Sequence, residues 1–449
     1  MTSQRTEELI KLDLDHIVHP YVAVGQHMGI IFEKAHGVYL VDTEGKEYFD
    51  VSSQLMCSNL GHGQKEIADA VSEAIHKTDY TTSFYGFSNP YTIECARLLA
   101  EITPGDLNHF FFTSGGSESV DSAIKLARLY WHYKGKDTKY KIVNLYNSYH
   151  GETGISTYLT RMGRGAPQMG FGPEPPGYLR IPPYYCYRCM FGAKYPDCDV
   201  LCARFLKDVI ESEGADSIAA FLAEPIQGSG GVITPPDEWW PMVRKICTDH
   251  DVLLIVDEVM TGFARTGKMF ATEHWNVLPD IMTMAKGITG AYLPLGAVAM
   301  NDNIYEALEG NVFWHGVTYT GHPIPSAASV AALNLYKKQK VVDNAARVGA
   351  HIRQRLDKEF LPLPCVGLVD GKGMFQAIEL VNDKKTKTVI DLDAKTELFK
   401  KILQGGVYLR ITGALANRMF ICPPCTMTID EADRALDIIL PLVAGLKPK

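Results

Sequence analysis

Apolar positions in GIIFEKAHGVYLVDTEGKEYFDVSS fall in near-alternation around Val38, Leu40 and Tyr48, with a turn at Glu44-Gly45. The stretch up to about Asn59 therefore reads as a helix followed by short strands. From about Gly61 the spacing alternates between helical and extended. KEIADAVSEAIHKT and PYTIECARLLAEI predict helices, HFFFTS a short buried strand, and SESVDSAIKLARLYWHY a long helix with Ile124, Ala127 and Tyr130 or Trp131 on its apolar face. KIVNLY, SIAAFLAE, DVLLIVDE, DIMTMA and PLGAVAM predict further strands. After about Ser326 come the helices AASVAALNLYKKQ and AARVGAHIRQRLDKEF, more strands, and a closing helix in DEADRALDIILPLVAG.

Short apolar strands alternating with helices predict an α/β fold with a mostly parallel central sheet covered on both faces. The expected organisation is a large domain over residues 61–325. A smaller α+β domain would combine an N-terminal segment, 1–60, with a C-terminal one, 326–449. In such folds ligands bind at the carboxyl ends of the strands, so the polar residues there are the candidates for chemistry.

Composition narrows the function by exclusion. At 449 residues the chain is too long for one simple core, and 46% hydrophobic with 21% charged residues is ordinary globular usage. A net charge of −8 with no Lys/Arg-rich block leaves no footprint for nucleic acid or an anionic membrane. The N-terminus has no apolar signal core, and no run approaches the roughly 18 apolar residues of a membrane span, so a cytoplasmic protein is expected. Four of the ten cysteines cluster as Cys186-x2-Cys189-x8-Cys198-x3-Cys202. That spacing permits tetrahedral zinc or a thiol pair but matches no named zinc module, so a Tyr- and Pro-rich surface loop with free thiols is the simpler reading. No catalytic metal is expected.

The chemistry concentrates in LLIVDEVMTGFARTG and DIMTMAKGITGAYLPLG. One apolar strand ends at Asp257-Glu258, another at Lys286. A lysine at the end of a buried strand is costly as a cation but makes sense if consumed as an imine, and a nearby aspartate makes sense opposite a cation. A Schiff-base lysine with an aspartate on the pyridinium nitrogen is the arrangement pyridoxal phosphate requires. The pattern Asp-Glu-Val-x-x-Gly-Phe-x-Arg-x-Gly, then Asp-Ile-x-x-x-Ala-Lys-Gly, resembles the attachment site of the class III aminotransferases, the group that includes ω-transaminases. The resemblance implies the fold type I architecture of pyridoxal-phosphate transferases, with catalytic roles for Lys286 and Asp257.

Other segments follow the same resemblance. Ser114-Gly115-Gly116-Ser117-Glu118 lies between a strand and a helix, where free N–H groups suit a phosphate. Ser117 could equally be a plain helix N-cap. In the family, Gly116 and Ser117 would hold the cofactor phosphate, although Gly115 replaces a serine. Tyr149-His150-Gly151 resembles the segment whose tyrosine stacks on the pyridine ring, with His150 in support. Val259, on the same side of the chain as Asp257, would pack on the ring's other face. Glu224 would sit beside the cofactor and pair with a mobile arginine. Arg410 is the candidate for that arginine and for gripping a substrate carboxylate, with Arg418 close by. Thr318 would reach the phosphate in a neighbouring subunit, which implies shared active sites in a homodimer or dimer of dimers. Met56 falls where amine-accepting relatives often carry tryptophan, which implies a reshaped substrate pocket.

The function so implied is an aminotransferase working by a ping-pong cycle through pyridoxamine phosphate. It would carry an amino group from an ω-amino acid (β-alanine- or taurine-like) or a simple amine to a keto acid, pyruvate foremost. The alternative is an amino-acid racemase, epimerase or aminomutase of the same family, which Lys286 and Asp257 would serve as well. A non-catalytic scaffold is disfavoured because every expected cofactor residue is present.

Overall fold

Three sheets organise the described residues, 2–162 and 171–447, of the computed structural model. The N-terminal helix Gln4–His16 leads to strands β1 (Phe32–His36), β2 (Tyr39–Asp42) and β3 (Glu47–Asp50). The central sheet contains β4 (His109–Thr113), β5 (Lys141–Leu145), β6 (Tyr178–Ile181), β7 (Ile218–Ala223), β8 (Leu253–Asp257), β9 (Ile281–Met284) and β10 (Gly296–Met300). Its order is β4-β10-β9-β8-β7-β5-β6, and β10 alone runs antiparallel to its neighbours. The C-terminal part supplies β11 (Val366–Lys372), β12 (Phe375–Asp383), β13 (Thr388–Val389), β14 (Val407–Tyr408), β15 (Ile411–Thr412) and β16 (Arg418–Ile421). β14 joins the N-terminal sheet beside β3, so both ends of the chain build one structure.

The period-2 geometry of a strand sorts the central core into two layers. Ala220, Leu222, Leu253 and Ile255 face the helix Gly116–Tyr133, packing with Val120, Ile124 and Ala127. Phe221, Ala223, Leu254 and Val256 face the opposite side, with Leu206, Ile210 and Val243 from the helices Leu201–Glu213 and Trp239–Asp249. Burial on both faces explains why these strands read as unbroken apolar runs.

HFFFTS differs from expectation. His109, Phe110 and Phe111 are only half-buried, because β4 is the sheet's edge strand. Among the described residues no helix is long and apolar enough to cross a membrane.

Candidate active site

Parallel strands place their carboxyl ends on one side of a sheet, and here that side gathers the predicted polar residues. β4 opens into the turn before the helix Gly116–Tyr133, and β5 leads to Tyr149 and His150. β7 is followed by Glu224, β8 ends at Asp257, and β9 is followed by Ala285 and Lys286.

Asp257 is 4% exposed and engaged through both oxygens. Oδ2 accepts from His150 Nδ1 at 2.7 Å; Oδ1 accepts from the Thr283 hydroxyl at 3.0 Å and the Val259 N–H at 3.1 Å. His150 is itself buried, and its Nε2 has no partner. Its ring holds the Asp257 carboxylate from one side. Among the described residues neither lysine nor arginine pairs with Asp257, and a buried carboxylate so placed calls for a cation.

Lys286 is half-buried, with its backbone in the left-handed region at φ 46°, a conformation that costs a non-glycine residue and that its surroundings must hold. Burial pushes its pKa below the ordinary lysine value. Cys57, Asp257 and Glu224 oppose that shift, and Arg410 adds to it. The consequence is an amine more readily neutral, and therefore nucleophilic.

The turn after β4 is shaped for an anion. Gly115, not Ser117, is the N-cap, and no side chain caps the helix; Ser117 is its second residue. The first-turn N–H groups thus lack a helical carbonyl partner. Ser114 N–H is held by Glu118 Oε2 at 2.8 Å. A Cβ on Gly116 would come within 2.8 Å of Val259 Cγ1, and one on Gly151 would collide with Ser117, so both glycines are required by close approach. Val259 is thereby packed against the anion turn, and the Tyr149-His150-Gly151 loop against the helix start.

Glu224 is 3% exposed, and it accepts from the Tyr149 N–H at 3.1 Å and the Gly228 N–H at 2.6 Å. It makes no ion pair with Arg410 in this conformation. The two arginines differ in how they are engaged. Arg418 is 2% exposed and fully committed, donating to Glu379 at 3.2 Å and to the carbonyls of Gly231 and Val232 at 2.6 and 2.9 Å. Arg410 is half-buried, has no carboxylate in ion-pair reach among the described residues, and is near enough to act electrostatically on Tyr149 and Lys286. Met56 is 2% exposed with φ 55°, in a segment where Ser53 and Gln54 are also left-handed. Thr318 lies elsewhere: it is exposed, with its carbonyl accepting from the Tyr80 hydroxyl at 2.7 Å.

The family model Aminotransferase class-III matches residues 21–443. The chain belongs to the class III aminotransferases. Putrescine–pyruvate aminotransferase of Pseudomonas aeruginosa is 33% identical over 443 residues, covering 98% of this chain and 96% of the relative. An (S)-enantioselective ω-transaminase from Thermomicrobium roseum is 38% identical with a TM-score of 0.92, covering 98% of each chain. A transaminase from the marine bacterium Virgibacillus is 36% identical with a TM-score of 0.91, covering 97% of this chain and 98% of that one.

Pyridoxal phosphate is the cofactor of this family, and the residues of this aminotransferase fit it. The uncapped helix start offers N–H groups to a phosphate, the buried Asp257 offers a charge to a ring cation, and Lys286 offers an amine to an aldehyde. Two further residues, Cys57 and the arginine of the Gly-Phe-x-Arg pattern, lie here although neither was assigned a role from sequence. Cys57 is near enough to the Lys286 amine to act on it electrostatically. Arg265, fully buried, donates to Asn59 Oδ1 at 2.6 Å, Ser53 Oγ at 3.0 Å and the Cys422 carbonyl at 3.1 Å. It straps the Met56-Cys57 turn beside Lys286; Asn59 in turn donates to the Phe263 carbonyl at 2.8 Å and abuts Gly287.

Burial pushes Glu224 up to about 7, with Asp257 acting in the same direction and His150 against it. Glu258, also buried, is pushed up to about 7. Between 4.5 and 7 each native carboxyl keeps a proton that the unfolded chain has lost, so this part of the stability declines as pH rises through that window. Glu224→Gln should therefore remove about half of the decline, Glu258 supplying the rest. Thermal melts of the cofactor-free enzyme across the window check this; an unchanged slope would contradict it.

Proposed function

We propose that this aminotransferase carries an amino group from an ω-amino acid or simple amine to a keto acid, pyruvate foremost, in two half-reactions that share one site. The observation that carries the reading is Arg410, a half-buried cation with no carboxylate in ion-pair reach among the described residues and close enough to act electrostatically on Lys286, while Arg418 is spent on structure. A guanidinium in that position suits a keto-acid carboxylate. The name of the Pseudomonas relative, which pairs an amine with pyruvate, agrees with it.

When bound, the cofactor supplies an aldehyde and an electron sink for the donor carbon. Lys286 would anchor it, the Gly116-Ser117 turn would bind its phosphate, and Tyr149 and Val259 would flank its ring. Asp257, aligned by His150 and Thr283, keeps a negative charge fixed where a ring nitrogen would meet it. Lys286 Nζ, neutral more readily than an exposed lysine, takes the proton from the donor carbon. Buried Met56, beside Cys57 and under the Arg265 strap, borders the donor's end of the site.

The site is also proposed to be completed by a second copy of the chain, with the domain division falling near residues 60 and 325. Thr318 lies in a surface of exposed apolar residues: Tyr85 at 95%, Trp314 at 80%, Phe87 at 65% and Tyr319 at 59%. Its halves are joined by the Tyr80–Tyr319 edge contact and by Ser83 Oγ donating to the Thr320 carbonyl at 2.6 Å. Exposed aromatic residues clustered in this way suit an interface, from which Thr318 would serve the partner's phosphate. Sedimentation should give at least twice the chain mass; a monomer retaining full activity would refute the shared site.

The activity is tested by mixing purified protein with a panel of ω-amino acids and amines in the absence of keto acid. The expected result is loss of the yellow absorbance, restored by pyruvate. A yellow band that persists while an amino acid inverts would replace this reading with a racemase.

A further inference from the structure

The four clustered cysteines take no part in the chemistry above, yet the fold gathers them. Cys186 and Cys189 bracket a single helical turn, Cys186–Arg188, and Cys198 and Cys202 flank the start of the helix Leu201–Glu213. Between Cys198 and that helix the backbone turns back through Asp199 and Val200, both at φ 47°. A β-branched residue in the left-handed region is uncommon and persists where its surroundings over-determine it. The two turns face each other across a cavity of about 20 Å³ walled by all four cysteines together with Tyr184 and Phe191. That is room for about one ion or water molecule. Apart from tyrosine hydroxyls, the thiols are the only polar side chains in its wall, and none is in a disulfide.

We propose that this cavity is a structural zinc site with Cys186, Cys189, Cys198 and Cys202 as its four ligands. Spacing alone left free thiols as the simpler reading; the shared, otherwise apolar cavity reverses it. Four sulfurs and no open position is the make-up of a structural rather than catalytic zinc centre. Among the described residues, no three of these sulfurs lie within 4.8 Å of one another, so binding draws them inward by side-chain rotation on two short turns. As Zn²⁺ enters, the thiols lose up to four protons to solvent and bind as thiolates.

The site has a structural task within reach. The same turn carries Tyr185 and Arg188 onto Glu379 of β12, a fully buried carboxylate that accepts from the Tyr185 hydroxyl, from Arg188 Nε at 2.5 Å and from Arg418 at 3.2 Å. Lys387 ties the turn down further, donating to the Tyr187 carbonyl at 2.5 Å. Arg418 begins β16, whose Phe420 N–H bonds the Arg410 carbonyl at 2.9 Å. Zinc would thus stiffen the brace behind the strands that present Arg410.

The test is elemental analysis of the desalted full-length holoenzyme, followed by exchange with cobalt(II). About one zinc ion per chain is expected, and cobalt should give the visible bands of a tetrahedral thiolate site. The Cys186→Ser/Cys202→Ser double variant should lose the metal, whereas Cys247→Ser, altering a buried cysteine outside the cluster, should keep it. Chelation should lower the melting midpoint without releasing cofactor. If the double variant fails to fold, the zinc and cobalt measurements on the unaltered enzyme still decide. Protein that takes up neither ion when each is added in excess overturns the proposal, as does a thiol titration showing the four cysteines paired as disulfides.

Discussion

Lys286→Ala is expected to lower kcat by about 10⁴-fold, the upper end of what a positioned acid–base group contributes. The argument begins with placement. The lysine follows a four-residue buried strand, stands in a strained left-handed conformation, and has no carboxylate within ion-pair reach among the described residues. Such a side chain is not retained for stability: removing a half-buried amine with no ion pair of its own relieves a desolvation cost, so the variant should melt no lower than the parent. Loss of function with unaltered stability separates a chemical role from a structural one. Small primary amines added to the variant should restore part of the proton transfer, because what is missing is a basic nitrogen rather than a scaffold. Steady-state kinetics and melting curves on the same preparation check both parts. Turnover within a few-fold of the parent would sink the assignment of Lys286.

Asp257 and Lys286 were legible because a charge at the end of an apolar strand is an anomaly that local sequence displays. The central sheet was legible for the related reason that strands buried on both faces cannot disguise their composition. The edge strand β4 was misread on that same rule: HFFFT is as apolar as its neighbours, but its phenylalanines are covered by other means, Phe111 by Phe313 and His315. Several elements gave no clear signal. Pro241 in WWPMVRKICTD reads as a breaker, yet as the third residue of Trp239–Asp249 it lies in the first turn, where no helical hydrogen bond is lost. The helix Leu392–Gln404 buries only Leu398 and Ile402, too few residues for a visible stripe. The strap from Arg265 to Asn59 spans 206 positions, and no local pattern announces a pairing that tertiary packing alone creates. For Ser117, sequence allowed an N-cap, and the helix begins two residues too early for it, with Gly115 as the cap.

The two arginines show the same limit most sharply, and Arg410→Ala is the substitution that tests it. Both occupy a β-hairpin, Arg410 just before β15 and Arg418 at the start of β16, and neither local sequence says which is free. Glu379 separates them, since it claims Arg418, while Arg410 has no carboxylate in ion-pair reach among the described residues. A charge-assisted contact is worth roughly 1.5–3 kcal/mol, so its loss should reduce kcat/KM of the keto-acid half-reaction by about 10- to 100-fold. The half-reaction with an uncharged amine should change by no more than a few-fold, because that donor presents nothing for a guanidinium to grip. Lys286 also responds: removing a nearby cation relaxes one of the forces lowering its pKa, so the acid limb of the amine half-reaction should move to higher pH. Single-turnover absorbance measurements on each half separate these effects. A general structural defect would depress both halves together, whereas loss of a carboxylate grip depresses one, and equal losses would remove Arg410 from the substrate-binding role.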